Sequence, residues 1–223
     1  MDSLDWQAIL LTLQLAISTT AILFVFGLPL AYWLATTRWR GKYLLESIVM
    51  LPLVLPPTVL GFYILLALGP QSPLGQFYER VTGGHLPFSF SGILVGSVLG
   101  NLPFAIRPFV AAFSALDRRL VEASWCLGVS RFETFRRVAL PLCWPGILAG
   151  LVLTFAHAVG EFGVVLMLGG NIPGITRTIS VSIYDDVQAL DYAAAARTSG
   201  LLIVFSFMVL CLTQLLQRRR SPA

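Results

Sequence analysis

A chain of 223 residues of which 57% are hydrophobic and only 12% charged carries about half the charged share of an ordinary soluble domain. That excludes a water-soluble globule and indicates an integral membrane protein. With about 20 apolar residues needed per crossing, this length holds five or six spanning helices and no separate catalytic domain, so residues 1–223 read as one all-α membrane domain. The net charge of +4 is not a nucleic-acid footprint, because the arginines fall at the ends of apolar runs, where topology explains them.

Residues 1–7 form a short acidic leader carrying Asp2 and Asp5, and no further charge follows until Arg38. The first span is therefore expected over residues 8–36, too long and too poor in leading basic residues for a signal peptide, with a kink at Pro29. The connector Arg38-Trp39-Arg40-Gly41-Lys42 is basic and leads to a second span over about residues 47–68. There Pro52, Pro56 and Pro57 remove backbone donors, and lipid does not tolerate freed carbonyls unless protein or water satisfies them. This span is expected to face protein or a pathway; a merely kinked helix is the alternative. Residues 69–89 are rich in Gly, Pro and Ser and are expected to be an aqueous loop in which His85 is simply solvated. A third span over about 90–113 contains Asn101, Pro103, Arg107 and Pro108, and Arg107 reads as snorkelling or ion-paired ahead of contacting a substrate.

Residues 116–141 differ in kind, being charged and amphipathic between two apolar segments. Asp117 is expected to cap one short helix along which Leu116, Leu120, Ala123 and Leu127 recur at helical spacing, and Gly128 to stop it. Ser130 and Glu133 then read as a capping box for a second short helix, with Phe132 and Phe135 on its apolar side and Arg131, Arg136 and Arg137 on its polar one. Pro141 is expected to end that helix. The product is too polar to cross a bilayer and suited to lying at its surface.

The fourth span is expected over about 142–168, with His157 and Glu161 four residues apart on one face, where a polar contact within the bundle is favoured over a proton relay. A polar stretch follows from 171 to 197, holding a short helix near 179–187. The last span runs over about 198–216 and ends in Arg218-Arg219-Arg220. With residues 116–141 inside, Arg38, Arg40, Lys42, Arg118, Arg119, Arg131, Arg136, Arg137 and the terminal arginines also fall inside, leaving Arg80, Arg177 and Arg197 outside. Five spans with the N-terminus out and the C-terminus in then satisfy the positive-inside rule. Cys126, Cys143 and Cys211 have no metal-like spacing and read as buried or reduced thiols.

No GxxxxGK[ST] phosphate loop occurs, so energy from ATP must come through another subunit; HExxH and GxSxG are missing as well. An ion-driven carrier or intramembrane enzyme would have only His157 and Glu161 to work with, and no inverted repeat supports a carrier.

Glu122-Ala123-Ser124, then Gly128, then Val138-Ala139-Leu140-Pro141 resembles the cytoplasmic EAA loop of ATP-binding-cassette importer permeases. Ser124 stands where that pattern has a second Ala, and Val138 where it has Ile. The resemblance implies that Glu122, Ala123, Ser124, Gly128, Leu140 and Pro141 belong to a coupling element that sits in a cleft of an ATPase subunit. Two further stretches, LPLVLPPTVLGFYILL at 51–66 and GEFGVVLMLGGNIPGITRTISVSIY at 160–184, are similar to the permeases of molybdate importers, whose near relatives carry sulfate and tungstate. That family implies a type I importer permease fold in the bacterial inner membrane, a homodimer of permeases, two cytoplasmic ATP-binding subunits and an extracytoplasmic oxyanion-binding protein. It implies no cofactor or metal, and alternating access driven by ATP.

Overall fold

The computed structural model describes residues 5–218, and every regular element among them is helical. Asp5 opens the first helix by accepting from the Ala8 amide at 3.0 Å. Helix α1 (Trp6–Ile22) then passes through a π turn, Leu23–Gly27, into α2 (Leu28–Thr36), giving one rod of 31 residues. The expected kink at Pro29 takes the form of this π turn, which shifts the bonding offset and gives the ring room against the preceding turn.

The second span divides at its prolines. Helix α3 (Lys42–Val54) and α4 (Pro57–Leu68) meet at Leu55–Pro56 with a bend of 115°, so this is a broken helix rather than a kinked one. Pro56 and Pro57 have no amide hydrogen to continue the ladder, and the residue before each is driven out of the helical region; Leu55 has ψ 140°. The segment expected as a plain loop contains a helix, α5 (Pro73–Thr82). Ser72 caps it through the Gly75 amide, and Gly83 ends it at φ 73°. Its Leu74, Phe77 and Val81 lie exposed at helical spacing, a periodicity outweighed in sequence by the surrounding Gly, Pro and Ser.

Helix α6 (Phe90–Ser114), capped by Ser89, is the unbroken post of the molecule. On its far portion Gly92, Gly96 and Gly100 stand four residues apart, and each allows a close approach. A Cβ at Gly96 would collide with the Leu168 side chain, and one at Gly92 with the Leu86 carbonyl oxygen. The polar segment follows as α7 (Arg118–Cys126) and α8 (Arg131–Thr134). A second π turn, Phe135–Ala139, continues directly into α9 (Leu140–Val159). The fourth span then breaks at residues 160–162 before α10 (Gly163–Gly169), so it is not the single helix expected over 142–168. Helix α11 (Ile179–Gln188) agrees with the short helix expected near 179–187, and α12 (Tyr192–Arg218) closes the chain as a peripheral span against α9 and α11. Arg219 and Arg220 lie outside the described residues.

Among the described residues four single helices are long and apolar enough to cross a membrane, and the bent α3–α4 pair is a fifth if its two helices form one span. Among the described residues their packing forms two large cores and a small third cluster of Ala16, Ala158 and Val159 against Phe155, Leu202 and Phe205. The near core, on the α7–α8 side, gathers Leu28, Leu34, Val49, Ile106, Phe109, Cys143 and Ile147. The far core gathers Leu15, Ile64, Leu68, Ile93, Val164, Val165 and Leu168. Each broken span sends one piece to each core, α3 and α9 to the near one and α4 and α10 to the far one, while the first rod and α6 run through both. The breaks at 55–56 and 160–162 lie at the boundary and touch: a Cβ at Gly163 would be 2.7 Å from the Pro57 Cβ. Of the cysteines, Cys143 is buried, Cys126 and Cys211 are exposed, and all three are free thiols.

Overpacking against fixed backbone costs about 1–3 kcal/mol. Gly92→Ala is therefore expected to lower the melting temperature of the purified protein in detergent, whereas Gly84→Ala, with nothing within 4 Å, leaves it unchanged.

Candidate functional site

Residues 117–139 build a compact protruding unit by local rules. Asp117 accepts from the Arg119 amide at 2.9 Å and starts α7. Gly128 turns the chain at φ 78°, a conformation costly for a residue with a Cβ, and Ser130 accepts from the Glu133 amide at 3.2 Å to start α8. The reciprocal half of the expected capping box is replaced, since the Glu133 carboxylate pairs with Arg137 at 2.8 Å. Pro141 does not end the second helix. The π turn carries the chain past it, with the Leu140 amide bonding five residues back to Phe135, so α8 is continuous with the span that follows and the unit is tied mechanically to α9.

Ser124 is the residue that joins the two helices. It is buried, its hydroxyl meets the Val121 carbonyl at 2.7 Å, and it shares a 2.8 Å bond with the fully buried Thr134 hydroxyl. The serine at this point of the motif thus has a partner in α8, and Thr134 is a residue the sequence reading passes over. Glu122 and Ala123 are exposed. Leu140 packs on the near core, and Pro141 lies exposed at the junction with α9. Around Ser124 the unit presents Leu120, Trp125, Leu127 and Phe132, 47%, 46%, 83% and 73% exposed, with Arg131 over the Trp125 ring at 5.9 Å. At its base Tyr32 of α2 packs edge-on against both Phe113 of α6 and Phe135 of the π turn, at 5.2 and 4.8 Å.

A second constellation occupies the boundary between the cores. Asn101 of α6 donates to the Glu161 carboxylate at 2.8 Å and to the Ser97 carbonyl at 2.8 Å, while its own oxygen lies 2.9 Å from His157 Nδ1. Thr19 extends the layer by donating to Ser97 at 3.0 Å. His157 lies in the last turn of α9 and Glu161 in the break, 3.8 Å apart, so the amide ties the end of α9 to the break. An amide side chain can do both, because its oxygen accepts while its NH2 group donates. Gly100 makes room for the carboxylate: a Cβ there would be 3.3 Å from Glu161 Oε1. Glu161 is 7% exposed and lies at the core boundary rather than toward the far end, while its polar-contact role agrees with expectation. Phe104 stacks on His157 at 3.7 Å. Beside them lies a cavity of about 160 Å³, lined by Pro52, Leu55 and Pro57 of the elbow and by Gly100, Phe104, His157 and Glu161. The described residues contain no cluster of three metal-ligating side chains.

At the far end the stretch 171–178 is knitted by two side chains. Thr176 donates to the Gly169 carbonyl at 2.6 Å and accepts from the Ile172 amide. Arg177 donates to Asn171 at 2.6 Å and pairs with Asp185 at 3.2 Å and Asp5 at 4.0 Å. Burial, with Asp191 and Asp185 alongside, pushes the neighbouring Asp186 carboxyl above its usual range.

The family model described as binding-protein-dependent transport system inner membrane component matches residues 27–222. The chain belongs to this family. It is 50% identical over 206 residues, 92% of its own length and 91% of the relative's, to the molybdenum transport system permease protein ModB of Azotobacter vinelandii. To the protein of the same description in Escherichia coli K12 it is 36% identical over 217 residues, 96% and 94% of the two chains. Among solved structures it superposes on a bacterial ABC transporter involved in the import of the acidic polysaccharide alginate. The TM-score is 0.78 at 20% identity, covering 97% of this chain and 79% of that one, which establishes the fold. It is the type I importer permease fold, in a multi-pass inner-membrane protein.

Two double-mutant cycles probe these constellations. Ser124→Ala leaves the buried Thr134 hydroxyl without that partner, at a cost of about 1–3 kcal/mol; adding Thr134→Val is expected to recover most of the lost melting temperature. Asn101→Asp sets a second carboxylate against Glu161, and Asn101→Asp with Glu161→Gln restores a donor facing an acceptor. The double variant is expected to melt several degrees above the single Asn101→Asp variant in detergent.

Proposed function

We propose that this chain is the permease subunit of an ATP-binding-cassette importer that moves molybdate into the cytoplasm. The observation that carries the reading is the uncovered apolar face of the α7–α8 unit. Four large side chains stand exposed on a rigid, doubly capped element that is continuous with a membrane span, which is what a partner needs in order to push on the membrane part. Depletion of charge at the centre and aromatic enrichment are features of such interfaces. The Gly128 bend and the Ser124–Thr134 bond hold the two helices at a fixed angle. Glu122, Ala123 and Gly128 form the contact region, buried Ser124 holds that region to α8, and Leu140 and Pro141 form the transmission into α9.

In this reading residues 1–223 are one membrane domain with the N-terminus outside and the α7–α8 unit and C-terminus inside, where the basic residues concentrate. Two copies enclose the pathway, two cytoplasmic ATPase subunits engage the two protruding units, and an extracytoplasmic binding protein delivers the oxyanion at the far end. The chain contributes no ATP site of its own. Molybdate is favoured over sulfate or tungstate by the identity with molybdenum permeases over nearly the whole chain.

Proteoliposomes holding this chain, its ATPase and its binding protein are expected to take up radiolabelled molybdate when ATP is present inside, with excess sulfate having no effect. Gly128→Asp and Glu122→Lys are expected to insert normally yet lower uptake by about tenfold or more, the loss of one interface hot spot. Full ATP-dependent uptake by either variant would count against the coupling role, and wild-type uptake of sulfate in place of molybdate would overturn the substrate.

A further inference from the structure

The face of α6 that lines the cavity at the core boundary continues beyond Phe104. Along α6, Gly100, Phe104, Arg107, Ala111 and Ser114 recur at spacings of four, three, four and three residues, which places them on one stripe. Gly100 and Phe104 line the cavity, and Arg107, Ala111 and Ser114 below them are all exposed. The opposite side of this portion of α6 is turned inward: Asn101, Ala105, Ile106, Phe109 and Phe113 are buried, with Leu102, Pro108, Val110 and Ala112 partly buried between. The stripe therefore runs from the cavity to the end of α6 from which the α7–α8 unit departs.

Two facts say what this stripe faces. The α3–α4 elbow that forms the other wall of the cavity has broken backbone, with Leu53, Val54, Pro56 and Pro57 exposed. Such backbone at membrane depth is confined to protein contacts and water-filled cavities. Arg107 sits seven residues, about 10 Å, from the end of α6 and forms no ion pair among the described residues. A guanidinium facing hydrocarbon there is costly. Helical side chains lean toward the N-terminus of their helix, which aims Arg107 back toward the cavity and away from the nearer membrane surface, opposite to the direction snorkelling requires.

We propose that the Gly100–Ser114 stripe is the cytoplasmic half of the translocation pathway and that Arg107 is its oxyanion-contacting residue. The assignment rests on the importer reading above and adds to it a substrate contact. A single guanidinium per copy presents planar paired donors to a tetrahedral oxyanion. With no ion pair to a carboxylate among the described residues, it draws the anion past the cavity. Being exposed, and alone on its stripe, it binds weakly enough to let the anion leave. The proposal departs here from snorkelling or ion pairing, the reading that the sequence alone favours at this arginine.

The test uses the complete complex in proteoliposomes. Arg107→Gln is expected to lower molybdate uptake by about tenfold, the worth of one charge-assisted contact, chiefly by raising the substrate concentration needed for half-maximal rate. Arg107→Lys is expected to retain an intermediate rate and Arg107→Glu the least. Melting temperature and ATP hydrolysis stimulated by loaded binding protein stay at the wild-type level. Uptake by Arg107→Gln and Arg107→Glu equal to wild type would overturn the proposal. A second measurement does not depend on the substrate: Ala111→Cys, with Cys126, Cys143 and Cys211 replaced by serine, is expected to react with a water-soluble, membrane-impermeant thiol reagent from the cytoplasmic side. Failure to label would place the stripe in lipid and overturn the proposal. Labelling together with no wild-type uptake of molybdate would keep the pathway assignment and discard molybdate as the substrate.

Discussion

Inside a bilayer no water is available to take up a backbone hydrogen bond that a helix gives up, and this fold is arranged around the places where proline makes it do so. The chain has three solutions. At Pro29 and Pro141 a five-residue π turn precedes a Leu-Pro-Leu sequence and the rod continues. In α6, Pro103 and Pro108 stay within the helix, which is braced on several sides by α1, α2, α3, α9 and α10. At Pro56 and Pro57 the helix stops and turns through 115°. The first two keep a span intact, and the third opens the membrane interior to side chains from elsewhere. The cavity, walled on one side by Pro52, Leu55 and Pro57, depends on that opening.

Division into two cores follows from the same constraint. Once α3–α4 and α9–α10 have broken at a common level, their halves can pack only with what lies at their own depth. The first rod and α6 remain to tie the layers together. The hydroxyls of Thr19 and Ser97 and the Asn101 amide mark the plane where apolar packing gives out. A polar layer of this kind is stable in a membrane because each group has a partner within the layer.

What was legible in the sequence was what is decided locally. The caps at Asp117 and Ser130, the bend at Gly128, the short helix near 179 and the broken second span each depend on a few neighbouring residues with one strong preference. What was not legible depends on residues far apart in sequence. Ser124 reads as an imperfect motif match until Thr134 is seen against it, and Glu161 reads as a partner of His157 until Asn101, sixty residues earlier, is seen between them. The continuation of the helix through Pro141 was hidden because proline ends helices more often than it is bypassed by a π turn. The glycine ladder Gly92, Gly96 and Gly100 was present in the sequence as a close-packing signal, and prolines in the same span drew attention away from it.

The π turn at Phe135–Ala139 has a consequence for how this segment can vary. Such a turn holds one residue more than an α-helix needs to connect the same two flanks. Removing a single residue from it would convert it to ordinary helix while leaving Phe135's neighbours on the coupling side and Cys143 and Ile147 on the membrane side in their present orientations. Removal anywhere else between Arg131 and Val159 would rotate one flank by about 100° relative to the other. The junction between the protruding unit and the membrane is thus the one place in this rod where a change of chain length is absorbed rather than transmitted.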